Sequence, residues 1–232
     1  MDQIKVELQE FMGSDASICN SAWTSTYDKN LRDEKYNDDS KIESLVQRMV
    51  KEGHSTPFES VVFRFWFRMP IFIDRQHVTH RIASHNGLSG RYRTLPSDWF
   101  RLPGDVRFIL NVVKNNYGQY ISEMFDEMML GQFTFYEKVL DECKKAEKMD
   151  LISNHHYKRV REILRGVVGT AAMVERTSLF NLRSFANYQR LRNSEHAQKE
   201  ISIIAQKMLE AVAAAKVCPV AIKALMENDW RI

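Results

Sequence analysis

The sequence predicts one α+β domain, with strands gathered toward its N-terminus and a C-terminal half rich in helix. Three observations predict it. Apolar residues alternate with a two-residue period in two early segments, 4–12 and 61–69. From residue 115 onward the apolar spacing lengthens to that of amphipathic helices. No internal repeat or low-complexity tract interrupts a chain of 232 residues that is 44% hydrophobic and 27% charged. That length supplies a substantial core, and residues 1–232 read as a single domain.

The segment "IKVELQEFM" reads as the first strand, closed by the turn residues Gly13, Ser14 and Asp15. The polar, acidic stretch "YDKNLRDEKYNDDS" (27–40) reads as surface loop. Ser40 with Glu43 makes a capping-box pattern, and Ile42, Leu45, Val46, Met49 and Val50 recur at helical spacing until Gly53 stops the run. Val61–Met69 sets Phe63, Phe65 and Phe67 on one face and Arg64, Trp66 and Arg68 on the other, and Pro70 ends it. Residues 115–148 form one long helix or two, with an interruption near Gly131. Further helices are expected at 156–168, 179–193 and 195–216, the last rich in alanine and stopped by Pro219.

A formal net charge of +3 is too weak to imply a nucleic-acid partner and suits anionic small molecules. Three cysteines, Cys19, Cys143 and Cys218, lie far apart without a CxxC pair, which argues against a disulfide framework and fits a reducing cytoplasm. The N-terminal segment carries acids where an export signal carries basic residues, and no run of about 18 apolar residues occurs, so neither export nor membrane insertion is expected. Seven histidines show no HExxH spacing, and "NHHYK" (154–158) reads as the start of a helix, so no metal is expected.

Chemistry concentrates in "RQHVTHRIASHNGLSGRYRTLP" (75–96). Within it "LSGRY" joins a serine hydroxyl, a glycine that lets backbone approach closely and an arginine fork, the parts that hold a phosphate or carboxylate. Taken alone, such a pentapeptide is more often a polar turn. Downstream lie Arg165 and the stretch "NLRSFANYQRLRNSEHAQ" (181–198). On a helix Asn181, Ser184 and Tyr188 share a face with Arg192 one turn on, while Phe180, Leu182 and Phe185 are placed to pack. Buried amides and guanidiniums must be paired, and either protein groups or a heteroaromatic ligand can do so.

The block "GHSTPFES … PIFIDRQHVTHRIASHNGLSGRYR", followed downstream by "NLRSFANYQRLRNSEHAQKEI", resembles the flavin-dependent thymidylate synthases. Their signature is Arg-His-Arg, seven residues, then Ser; here the frame is Thr79-His80-Arg81, "IASHNGL", Ser89. The resemblance implies a mixed or antiparallel sheet flanked by helices and an FAD-binding homotetramer with active sites at subunit interfaces. It also implies transfer of the methylene of methylenetetrahydrofolate to C5 of dUMP, with NADPH as the source of electrons through FAD. Carried over position by position, Ser89, Gly90 and Arg91 form the nucleotide phosphate loop, with Gln76 and Arg165 as further dUMP contacts. Arg192 lies against the uracil and polarises it. Ser25, Thr56, Glu59, His80, Arg81, Asn181, Arg183 and Asn187 hold FAD, and His54 borders the flavin and folate region. A synthase of this kind needs no cysteine thiolate, in keeping with three thiols that all lie outside the motif blocks.

The sequence departs from the pattern twice. Thr79 stands in place of the first arginine, and Gly87 in place of a common glutamate. Loss of a charged hydrogen bond to a ligand costs on the order of 1.5–3 kcal/mol. Three outcomes stay open: a synthase compensated by Arg75 or Arg93, a sibling that makes a 5-hydroxymethyl pyrimidine nucleotide, or a chain without catalysis. A rival class is a nucleic-acid-binding protein that stacks bases on Tyr92, Phe185 and Tyr188, against which the weak net charge argues.

Overall fold

The computed structural model describes residues 3–35, 38–116 and 118–232. In chain order they form β1 (Lys5–Met12), α1 (Asp15–Trp23), α2 (Lys29–Lys35), α3 (Asp39–Glu52), a 3-10 helix (Thr56–Ser60), β2 (Val62–Pro70), α4 (Ile71–His77) and β3 (Ser84–Gly87). There follow α5 (Gly104–Leu110), α6 (Ile121–Lys148), α7 (Asn154–Leu164), a second 3-10 helix (Arg165–Val167), β4 (Met173–Asn181), α8 (Leu182–Arg192), α9 (Lys199–Ala214) and α10 (Pro219–Glu227). The four strands make one sheet in the order β1-β2-β4-β3, and the fold is α+β as expected. Among the described residues no helix is long and apolar enough to cross a membrane.

The described chain divides into two compact units. The larger comprises Ile4–Arg68, Arg75–Asn86 and Arg176–Ile232. Its core follows from the alternation in β2: Phe63, Phe65 and Phe67 are fully buried, and Phe185 of α8 lies 5.2 Å from the Phe63 ring and stacks on Phe65 at 6.2 Å. Burying each such ring contributes about 1.5–3 kcal/mol. β1 runs antiparallel to β2, with Val6 opposite Phe67 and a bulge between Leu8 and Glu10. α9 packs on β1 with Ile201, Ile204, Ala205, Met208 and Val212 buried.

The smaller unit comprises Gln3, Met69–Asp74 and Gly87–Glu175. α6 supplies its core through Met129, Phe133, Tyr136 and Leu140, one helical stripe packed with Leu95, Trp99, Val168 and Ala172. Trp99 stacks on Phe133 at 5.5 Å, and the buried Tyr136 hydroxyl accepts from the Leu95 amide at 3.2 Å.

Several expectations need correction. The stretch 27–40 is not all loop, since α2 lies inside it; its Tyr36 and Asn37 fall outside the described residues. The cap of α3 is Asp38, whose carboxylate accepts from the Lys41 amide at 3.1 Å, and Ser40 instead donates to Asp38. An aspartate is at least as good an N-cap as serine, and Lys41 and Ser40 hold its carboxyl down at about 2. Gly53 does end α3, at φ 74, the left-handed conformation that favours glycine. Residues 115–148 yield one helix of 28 residues, unbroken at Gly131. Residues 179–181 finish β4 instead of opening a helix, and 195–198 precede α9. Pro219 opens α10 at its first position rather than ending α9.

Candidate active site

In the smaller unit Ser89 heads a tight turn, its carbonyl accepting from the amides of Tyr92 and Arg93, both at 3.1 Å. A Cβ built on Gly90 would lie 3.1 Å from Arg165 Cδ, so glycine lets the arginine stem press against the turn. Ser89, Gly90, Arg91 and Arg165 are thus brought together. Two residues that the sequence reading passed over complete the cluster. Glu162 accepts from Arg91 Nε at 3.0 Å and from Arg159 at 3.3 Å, and Arg161 donates to the Arg91 carbonyl at 2.5 Å. Arg91, then Arg159, holds the Glu162 carboxyl below its usual range. Arg91, Arg159, Arg161 and Arg165 together outweigh that single carboxylate, and Arg161 Nε is buried without a partner. An anion such as a phosphate suits this arrangement. The spacing Arg161, Glu162, Arg165 on one helical turn was the available signal.

In the larger unit α4 and α8 carry Gln76 and Arg192, the remaining residues expected at the nucleotide. Arg192, on the last turn of α8, donates from Nη2 to Thr79 Oγ1 at 3.2 Å, and Thr79 Oγ1 donates to the Gln76 carbonyl at 2.7 Å. Thr79 is therefore bonded to Arg192 and to the Gln76 carbonyl. Gln76 Oε1 and Arg192 Nε are both buried and find no hydrogen-bond partner among the described residues. Arg81 is exposed. His80 is turned inward, its Nε2 2.8 Å from Ser184 Oγ and 3.1 Å from the Ser184 carbonyl.

Between these helices runs a chain of hydrogen bonds that the sequence did not reveal. His85 Nε2 faces the His80 carbonyl at 3.4 Å, which makes that nitrogen the donor and His85 Nδ1 an acceptor. Ser178 then donates to His85 Nδ1 at 2.8 Å and accepts from His77 Nε2 at 3.1 Å, leaving His77 Nδ1 to accept from Tyr188 at 2.9 Å. With neutral rings at His77 and His85, every donor in this chain finds an acceptor. Burial, reinforced by His85, Arg176, His80 and Arg192, pushes His77 well below the ordinary histidine value. His80 is lowered mainly by burial, and burial pushes the Tyr188 hydroxyl up.

Two cavities in the larger unit take up several of the residues expected at the flavin. One, about 530 Å³, is lined by Trp23, Ser25, Arg48, Glu52, His54 and Thr56, so Ser25, His54 and Thr56 do converge. His54 Nε2 lies 3.2 Å from Glu52 Oε2, with both side chains exposed. The other, about 450 Å³, is lined by Arg183 and Asn187 among others. Glu59 of the same 3-10 helix pairs with Arg183 at 2.7 Å. Asn181 acts as the N-cap of α8, accepting from the Ser184 amide at 2.8 Å. No cysteine lines either cavity. Cys19 and Cys218 are buried, and burial followed by Asp15 pushes the Cys19 thiol up to about 12. A thiolate nucleophile is not available there.

Clustered guanidiniums in the smaller unit suit an anionic ligand, and the two buried thiols, Cys19 and Cys218, are held protonated, so the α+β frame fits the class of enzymes that act on such a ligand without a cysteine nucleophile. The sequence matches the family described as Thy1, thymidylate synthase complementing protein, over residues 7–220. It is 32% identical to the flavin-dependent thymidylate synthase of Thermotoga neapolitana, covering 100% of this chain and 94% of that one. It is also 32% identical to the enzyme of the same name from Kosmotoga olearia, covering 95% and 89%. The UMP/dUMP methylase PolB from Streptomyces cacaoi, bound with 5-Br dUMP, shares the fold at a TM-score of 0.76 and 24% identity, covering 97% of this chain and 95% of that chain. The chain belongs to the Thy1 family, the flavin-dependent thymidylate synthases.

Proposed function

We propose that this protein is a flavin-dependent thymidylate synthase that converts dUMP to dTMP, taking the methylene of methylenetetrahydrofolate, with FAD as cofactor and NADPH as reductant. The observation that carries the reading is Arg192, a half-buried guanidinium fixed by Thr79 and left with an unpartnered Nε. Such a group meets negative charge developing on a pyrimidine ring without first reorganising, and needs no thiolate. Gln76, with its free Oε1, orients the base. Ser89, Gly90, Arg91 and Arg165 hold the phosphate, and Glu162 keeps the Arg91 fork in place.

The residues fit a flavin dinucleotide. A single 3-10 helix presents Thr56 to one cavity and, through Glu59, orders Arg183 at the next, as a long two-part ligand requires. Ser25, Thr56 and His54 border one end, and Glu59, Arg183 and Asn187 the other; Arg81 extends the cationic set, while His80 and Asn181 brace α8 from within. When bound, the flavin supplies the hydride that completes the methyl group. We further propose that the whole chain acts as one domain of this kind, as a cytoplasmic homotetramer with active sites at subunit interfaces. Exposed Phe108, Ile109 and Val112 near α5 and Met128 and Phe135 of α6 support subunit contacts.

A second reading, a 5-hydroxymethylase for the same nucleotide, draws support from Thr79 and Gly87, where a cation and an anion of the family pattern are absent together. Mass spectrometry of the nucleotide formed from dUMP, methylenetetrahydrofolate, FAD and NADPH separates the readings. A methyl gain is expected, an added oxygen selects the hydroxymethylase, and unaltered dUMP overturns both.

A further inference from the structure

We propose that the C-terminal turn at Asn228–Arg231 forms the outer wall of the flavin pocket and, through Trp230 and Arg231, recognises the adenosine diphosphate half of FAD. The inference rests on the flavin reading above and assigns ligand-binding roles to residues that lie outside the family motifs. The cavity that holds Arg183 and Asn187 is also lined by Ile82, Arg190, Trp230, Arg231 and Ile232.

Its polar lining is cationic. Arg183 is neutralised by Glu59, whereas Arg190 meets only the neutral amide of Asn187 at 2.9 Å. Arg231 bonds to its surroundings through its backbone alone, and its exposed guanidinium forms no ion pair with a described residue. No acidic side chain lines the cavity. Two guanidiniums, Arg190 and Arg231, that form no ion pair with a described side chain suit an anion of more than one charge, which a diphosphate is and a neutral isoalloxazine is not.

The turn is held in a conformation that side chains seldom adopt. Asp229 and Trp230 follow one another at φ 51 and φ 59. The Trp230 amide donates to the Leu225 carbonyl at 2.7 Å, the Arg231 amide to Asn228 at 2.9 Å, and Asn228 Nδ2 back to the Arg231 carbonyl at 2.9 Å. Trp230 rests its ring against Phe185, edge to face at 6.0 Å, so the indole is anchored to the strand-packing side of α8. An indole and a guanidinium lining one cavity offer groups on which a purine base can stack. An adenosine diphosphate group is common to FAD and NADPH. Arg183 of this cavity pairs with Glu59, and the 3-10 helix that carries Glu59 also carries Thr56, which lines the cavity of Ser25 and His54; that shared helix is the ground for assigning the subsite to FAD.

The test compares FAD with FMN, which lacks the adenylate half, on the purified full chain by fluorescence titration. Wild type should bind FAD more tightly than FMN. Arg231→Gln and Trp230→Ala should each weaken FAD about tenfold and leave FMN unchanged, as loss of a charged or stacking contact predicts. ADP should compete with FAD in the wild type and lose that ability in Arg231→Gln. Trp230→Phe, which keeps the contact with Phe185, controls for folding and should retain most of the preference. If both main variants keep the wild-type FAD to FMN ratio, the proposal is overturned while the flavin reading stands. If the wild type binds neither flavin, both fall. If NADP+ displaces FAD and the variants lose NADP+ binding in step, the subsite belongs to the nicotinamide dinucleotide and the assignment to FAD is overturned.

Discussion

Arg192 is placed by a single side-chain bond, and this makes its environment testable one atom at a time. Arg192→Ala should lower kcat by about 10²-fold or more, the usual consequence of removing a group that meets developing charge. Flavin absorbance should be retained, and unchanged turnover would remove Arg192 from the mechanism. Thr79→Val deletes the hydroxyl that accepts from Arg192 and donates to the Gln76 carbonyl. With about 1 kcal/mol lost in positioning, KM for dUMP should rise several-fold and kcat should change less; equal loss in both would assign Thr79 a role in the chemistry. Much of the candidate site was legible in the chain because the proposed phosphate turn is local: Ser89, Gly90 and Arg91 lie in one pentapeptide. The orientation of His80 could not. It ends a turn in which the amides of Thr79 and His80 bond back to Gln76 and His77, and only the packing of α8 decides that its ring faces Ser184. Glu162 and Arg161 were missed because on a basic amphipathic helix they look like solvated residues.

Elements of the larger unit are joined by caps as well as by core. α10 opens at Cys218, in the left-handed region at φ 48, followed by Pro219, so the next amides need an acceptor from elsewhere. Asp15, in the first turn of α1, provides it: its two carboxylate oxygens accept from Val220 at 3.1 Å and Ala221 at 2.8 Å. Asp15→Ala should therefore destabilise the protein by about 2 kcal/mol, the upper end for a lost cap, because the orphaned amides are largely buried. Asp15→Asn keeps one acceptor and should cost about half as much. Urea midpoints measure both, and a loss below about 0.5 kcal/mol for the alanine variant would show that water replaces the carboxylate. No sequence pattern links Asp15 to Val220, since the pairing is long-range. β4 escaped notice for a different reason. Its inward positions Arg176 and Ser178 are polar, so the alternation that exposed β2 is blurred there. Strong local signals survived: the Phe63, Phe65, Phe67 row and the Gly53 stop both appear where expected.

For the molecule as a whole, a formal charge of +3 leaves little long-range repulsion to tune stability near neutrality, and the buried histidines take over that role. His77 and His80 both have folded values below 6.5, the value they approach when unfolded. Between the folded and unfolded values the unfolded chain binds more protons, so stability rises with pH across that window, is complete above about 6.5, and is lost as pH falls below it. Each histidine contributes a slope of up to about 1.4 kcal/mol per pH unit. Protonation would turn both His77 nitrogens into donors, setting one against the Tyr188 hydroxyl, while His85, Arg176 and Arg192 repel the new charge. Denaturant unfolding between about pH 7.5 and 5.5 should therefore show stability falling by about 2 kcal/mol or more. His77→Phe should be less stable at every pH, because Ser178 and Tyr188 lose a partner, yet its slope below about pH 6.5 should be shallower by up to one proton. A variant whose slope matches that of the wild type would mean that His77 is not the group being titrated, and would leave His80 or another group as the source of the pH dependence.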